Sequence, residues 1–149
     1  MEILTNTFFY LEYIFWFVFV FTIIVFIHEF GHYYVARLNN VKVDIFSVGF
    51  GPTILKFIDK NDTVWKICIF PLGGYVKFAG EMYPDKIEKS DKKKYQELFM
   101  YKSALQKASI VLAGPFANFI LGIFLFSAIY ITFGKNYTAP IIGNVIENS

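Results

Sequence analysis

The sequence is poor in the residues that build most small stapled domains and most metal sites. It has one cysteine in 149 residues, which excludes a disulfide framework and a cysteine-rich zinc finger. It has two histidines, too few for a three-histidine catalytic metal site. No lysine or arginine precedes Arg37, so the start of the chain lacks the basic region that opens a signal peptide. The net charge is only +2, which by itself makes no case for nucleic acid binding. Residues 108–133 carry no charge at all.

What the chain has in excess is apolar surface. Hydrophobic residues make up 56% and aromatic residues 21%, with a mean hydropathy of +0.47. Soluble domains hold about 45–50% apolar residues, and disorder needs far fewer than that. The excess falls in two blocks. Residues 8–27 form the first, with Glu12 as the only charge. Twenty helical residues rise about 30 Å, enough to cross a hydrocarbon core. Residues 108–133 form the second, long enough to span with tilt. It contains Gly114-Pro115, a pair tolerated in lipid when neighbouring groups satisfy the freed backbone. Gly114, Asn118 and Gly122 share one face there. Spacing alone favours a packing stripe, with a hydrogen bond from Asn118 across the contact as the other use.

All but one of the 14 basic residues lie between Arg37 and Lys107. The positive-inside rule then puts the middle segment in the cytoplasm and both termini outside. Within that segment, residues 43–48, 53–58, 64–70 and 75–78 read as short strands. They are broken by Gly49-Phe50-Gly51-Pro52, by a turn at residues 59–62, and by Pro71-Leu72-Gly73-Gly74. Residues 85–97 read as a charged stretch, for most of which a plain solvated loop is the favoured account; attraction of anionic lipid by Lys92, Lys93 and Lys94 is the alternative. The expected fold is therefore a mainly α membrane protein of two transmembrane helices, residues 1–38 and 103–134. A cytoplasmic β-hairpin or re-entrant loop, residues 39–102, lies between them, and an outer tail, residues 135–149, follows.

The chemistry sits at His28-Glu29-Phe30-Gly31-His32, an H-E-x-x-H sequence that holds both histidines of the chain. On a helix, residues four apart differ by about 40° in direction and 6 Å in height. Two imidazoles so placed can grip one Zn²⁺ at about 2.0–2.1 Å each. Zinc lowers the pKa of a bound water, and Glu29 stands one step round to take its proton. Ionisable groups at membrane depth are costly and are functional by default. A third ligand is missing from the pattern. Glu12 is about 24 Å from His28 along a helix, the second span has no acid, and no spacing argues for Asp44 or Glu81. The third ligand is expected from outside this chain.

At these residues the sequence resembles the site-2 protease family of intramembrane zinc metalloproteases. It is most similar to the bacterial branch that cleaves the anti-sigma factor of the sigma-E envelope stress response. His28-Glu29-Phe30-Gly31-His32 matches the zinc motif of that family. Val48-Gly49-Phe50-Gly51-Pro52 and Pro71-Leu72-Gly73-Gly74-Tyr75-Val76-Lys77 match segments before the second span. Ala113-Gly114-Pro115-Phe116-Ala117-Asn118-Phe119 matches the second-span motif, and Pro140-Ile141-Ile142-Gly143-Asn144-Val145 is similar to the opening of an extracytoplasmic PDZ domain. The resemblance implies that His28 and His32 ligate zinc and that Glu29 is the general base. It implies that Asn118 lies near the catalytic centre and orients substrate. It also implies that the Gly73-Gly74 segment belongs to a β element receiving the substrate as an added strand, since a helix must be unwound before its amides can be cut. The implied substrate is a single-span, anti-sigma-factor-like membrane protein, and the implied location is a bacterial inner membrane. The family's third ligand is an Asp in a Leu-Asp-Gly motif, which this sequence lacks. Two other classes compete: a truncated homologue that binds membrane helices without cutting, and a weak two-histidine metal-binding or transport protein, although a transporter ordinarily needs more spans and a polar path.

Overall fold

The computed structural model describes residues 2–81 and 95–134. The residue 85–97 stretch lies outside the described residues up to residue 94, and so do Lys92–Lys94 and the whole 135–149 tail. Helix α1 spans Glu2–Leu38, strand β1 Val43–Ile58 and strand β2 Val64–Phe78. A 3₁₀ turn at Phe99–Tyr101 leads into helix α2, Ala104–Phe133.

Thr7–Leu38 and Ala104–Phe133 are both long and apolar enough to cross a membrane. Their large side chains stand exposed all round, among them Phe15, Phe17, Phe116 and Phe124. A helix apolar on every face has no side suited to water. Stacked rings one turn apart run up α1, with Phe15 and Phe19 at 6.3 Å and Phe26 and Phe30 at 5.9 Å between centroids.

Both helix ends are set by local chemistry. α1 stops where Asn40 turns to a φ of 53°. The Val41 N–H then donates to the Ala36 carbonyl at 2.9 Å and the Asn40 N–H to that of Arg37 at 3.0 Å, a Schellman closure with Asn in the glycine position. Arg37 in the last turn complements the negative end of the helix dipole. α2 starts at a capping box: the Gln106 N–H donates to Ser103 Oγ, and the Ser103 N–H to Gln106 Oε1 at 3.1 Å. This box starts the helix four residues before the uncharged block at residue 108. Pro115 lies within α2 without ending it.

The four short runs expected between the helices are two long antiparallel strands. The segments Gly49-Phe50-Gly51-Pro52 and Pro71-Leu72-Gly73-Gly74 lie inside them rather than closing them. Gly49 and Gly51 both take φ 86°, a conformation that costs glycine nothing. The chain bends there and the register shifts, while pairing resumes beyond. As a result the segment at 46–48 has partners on two sides. Phe46 pairs with Trp65 and Val76, Ser47 with Lys66 and Tyr75, and Val48 with Ile67 and Gly74. This doubly paired segment is buried. A small core of Ala36, Val41, Val43 and Ile110, flanked by Tyr33, Val76, Phe78 and Phe99, joins the end of α1, the sheet and the start of α2.

The turn between the strands is tied to α1 by one carboxylate. Asp59 accepts hydrogen bonds from the Asn61 and Thr63 N–H groups at 2.8 and 3.0 Å, from Trp65 Nε1 at 3.1 Å and from the Tyr33 hydroxyl at 2.9 Å. Arg37 adds a bond to Asn61 Oδ1 at 2.8 Å. Partial burial pushes the Asp59 carboxyl up, but the four donors outweigh it and bring it from 3.8 to about 2. A depressed folded pKa gives stability that is complete above the unfolded value of 3.8 and lost as pH falls through about 2. In a Trp16→Phe background, Trp65 fluorescence should therefore show an acid transition in that window. Asp59→Asn should remove the transition, and its persistence in that variant would assign it to another group.

Candidate metal centre

The site begins with a glycine. α1 meets α2 at Gly31, where an added Cβ would lie 2.9 Å from both the Ala113 carbonyl carbon and Ala117 Cβ. Any side chain here would push the helices apart. With Gly31 between them, His28 and His32 project from the same face of α1 towards α2. Their rings stand edge to face with centroids 4.9 Å apart.

The floor beneath them is Gly114 of α2. A Cβ there would fall on His32 Nε2 and lie 2.9 Å from His28 Nε2. Both Nε2 atoms therefore converge over the one residue that leaves room for them. Their other nitrogens are already engaged. His32 Nδ1 is 2.8 Å from the Ile110 carbonyl oxygen. A carbonyl only accepts, so Nδ1 carries the proton and Nε2 keeps its lone pair, the form a metal takes. His28 Nδ1 is 3.2 Å from Asn118 Nδ2. Asn118 Oδ1 is buried and has no hydrogen-bond partner among the described residues.

These residues fit a metal. Imidazole nitrogens suit zinc and similar transition ions, and both Nε2 atoms gather over Gly114, where the absence of a side chain leaves them room. They supply two protein ligands. Among the described residues no group of three or more His, Cys, Asp or Glu side chains is placed to hold an ion. Glu81, weighed from the sequence, accepts a bond from the Phe78 N–H instead, and Asp44 joins no such group.

Glu29 faces the sheet. A Cβ at Gly74 would lie 2.8 Å from Glu29 Cγ, 3.2 Å from Val25 Cγ1 and 2.7 Å from the Ser47 carbonyl oxygen. β2 thus passes directly against the Glu29 stem at its glycine. Gly73 is covered by the Phe50 ring rather than by α1. The structure therefore groups His28, His32, Asn118 and Gly114 at the α1–α2 contact, and Glu29 with Gly74 on the adjoining face. A Cβ at Gly122, the third member of the expected stripe, would meet nothing within 4 Å, so among the described residues the stripe is used only at its first two positions. The sequence reading passed over two contributors, Gly31 and the Ile110 carbonyl. Gly31 had a signal, a small residue inside the H-E-x-x-H turn; a backbone carbonyl leaves none.

Gly114→Ala tests the cradle. The variant should keep its helical circular dichroism and lose most bound metal in atomic absorption, because the new methyl group occupies the place where the Nε2 atoms meet. Wild-type metal content in this variant would show that the ion sits elsewhere.

Comparison with known proteins gives the same picture at family level. The sequence profile of Peptidase family M50 matches residues 16–148. A protein of Rickettsia conorii that carries the name of a zinc metalloprotease is 47% identical over 135 residues, covering 89% of this chain and 37% of its own length. A similarly named protein of Agrobacterium fabrum is 39% identical over 155 residues, covering 99% of this chain and 41% of its own. The regulator of sigma E protease of Haemophilus influenzae is 38% identical over 133 residues, covering 89% and 29%. The chain thus spans less than half the length of these relatives. With the profile matching across nearly all of it, the chain belongs to peptidase family M50.

Proposed function

We propose that this chain carries part of the active site of a zinc-dependent intramembrane endopeptidase of the site-2 type. The observation that carries the reading is the convergence of His28 and His32 Nε2 over Gly114, with Glu29 beside them on the same helix. α1 and α2 span a bacterial inner membrane, with both termini outside and the sheet at the cytoplasmic side; the concentration of basic residues between Arg37 and Lys107 supports this orientation. His28 and His32 hold the metal. When bound, zinc supplies Lewis acidity that makes a water more acidic and polarises a carbonyl. Glu29 takes the proton of the attacking water on its carboxylate and returns it to the departing amine.

The substrate is a single-span membrane protein of the anti-sigma-factor kind, presented as an extended segment. β2 receives it near Gly73-Gly74. Two facts support that placement: Gly74 lies against the Glu29 stem, and among the described residues the register pairs Gly74 with Val48 alone. Strand addition gives an unwound segment the backbone hydrogen bonds it lost. The sheet is a re-entrant element in this reading, which accounts for the exposed Ile54, Leu55, Phe57, Ile69 and Leu72. The third ligand comes from beyond the described residues.

Glu29→Gln in the full-length protein should leave zinc content unchanged and lower cleavage of a single-span substrate about 10²–10⁴-fold, the range of general-base contributions. His28→Ala should lose the zinc itself. Substantial cleavage by Glu29→Gln would remove the base role. Zinc bound by the wild type with no cleavage of any single-span substrate would favour a non-catalytic, helix-binding homologue.

A further inference from the structure

We propose that Asn118 is a positioning residue for the metal: its side-chain oxygen fixes His28 in the tautomer that leaves Nε2 free. The inference rests on the zinc-binding reading above and concerns tautomer rather than charge. The observation is an imbalance at one amide. Asn118 and His28 face each other at 3.2 Å across the helix contact. In that arrangement Asn118 Nδ2–H donates to His28 Nδ1, and Oδ1 is left buried without a donor among the described residues. An Nδ1 that accepts puts the proton of a neutral imidazole on Nε2. That is the atom aimed over Gly114 beside His32 Nε2. In this state one of the two converging nitrogens is closed to a metal.

The amide has a second orientation of the same shape. Its oxygen and nitrogen are nearly identical in size, so a half-turn of the group exchanges them without moving a neighbour. Oδ1 then faces His28 Nδ1, which becomes the donor. The proton leaves Nε2, and Oδ1 gains the partner it lacks. His32 already shows this arrangement, with Nδ1 on the Ile110 carbonyl oxygen at 2.8 Å. With the amide so turned, each histidine has an oxygen at Nδ1, one from the backbone and one from a side chain, both on α2. Ile110, Gly114 and Asn118 follow one another at intervals of four along that helix, so a single face of α2 serves both rings and the cradle between them. A metal-bound His requires its second nitrogen to be held by such an acceptor, and loss of the acceptor costs about 10–100-fold in metal affinity.

The test uses the full-length protein in detergent and reads zinc affinity by chelator competition. Histidine ¹⁵N chemical shifts report which nitrogen of His28 is protonated. Asn118→Ala should weaken zinc about 10–100-fold and leave His28 as a mixture of tautomers. Asn118→Asp, which always presents an oxygen, should restore affinity to the wild-type level or above and show Nδ1–H alone. Asn118→Leu, which fills the volume without an acceptor, should resemble the alanine variant; this separates hydrogen bonding from packing. If Asn118→Ala misfolds, the Asp and Leu pair decides the matter. Affinities within twofold of wild type for both Asn118→Ala and Asn118→Leu would overturn the proposal, whatever happened to cleavage, and would return Asn118 to a role on the substrate. Failure of the wild type itself to bind zinc would instead overturn the zinc-binding reading on which the proposal rests.

Discussion

Two helices in contact at backbone distance are the constraint on which the site depends. α1 and α2 touch where Gly31 faces Ala113 and Ala117, and where Gly114 faces the two imidazoles. Small residues let helices come this close, and in an apolar solvent such packing replaces the hydrophobic drive that joins helices in water. The approach does two things at once. It brings the Ile110 carbonyl and the Asn118 amide of α2 within hydrogen-bond reach of His32 and His28 Nδ1, and it seats both Nε2 atoms so close over Gly114 that a methyl group there would not fit. A single added carbon at either glycine removes the geometry.

The same economy governs the polar groups away from the centre. Thr22 on α1 returns its hydroxyl to the Val18 carbonyl at 2.7 Å, and Thr132 on α2 to that of Ala128 at 2.8 Å. Each satisfies its own polarity within one helical turn, so neither needs water nor a partner. Asp59 does the corresponding work at the sheet turn, gathering donors from the turn, from Trp65 and from Tyr33. Tyr33 follows His32 directly in the chain. The carboxylate therefore ties the sheet to α1 one residue from the metal motif, and the position of β2 against Glu29 rests in part on that tie.

The legible parts of this chain are those written in one stretch of sequence. The two long apolar helices follow from composition. The shared face of His28 and His32 follows from spacing alone, because four residues make slightly more than a helical turn. The sheet was legible only as four pieces. Gly-Phe-Gly-Pro and Pro-Leu-Gly-Gly look like turns, and nothing local says that pairing resumes beyond each bend or that residues 46–48 acquire two partners. Contacts between distant segments were the least legible. The i, i+4, i+8 pattern identified a face of α2 but not what it meets. The 90 residues that separate Asn118 from His28 are bridged by a helix crossing whose marker, Gly31, lay hidden in a motif position that accepts any residue.

α1 carries its chemistry on two adjoining faces, and each has a different neighbour. Successive residues on a helix point about 100° apart. His28 and His32 point towards α2, while Glu29, one step on, points towards β2 at Gly74. In the proposed reading the metal and the base therefore sit on opposite sides of the angle between α2 and β2. A carbonyl able to meet both must enter that angle, and a segment paired along β2 near Gly74 does so from the side where Glu29 stands. A packed transmembrane helix, with its carbonyls bonded along its own axis, cannot follow β2 in this way. In the proposed reading the arrangement thus selects for extended chain. In that reading Gly74 matters to the base as Gly114 does to the metal: at each, a neighbouring element lies so close to α1 that an added methyl group would collide.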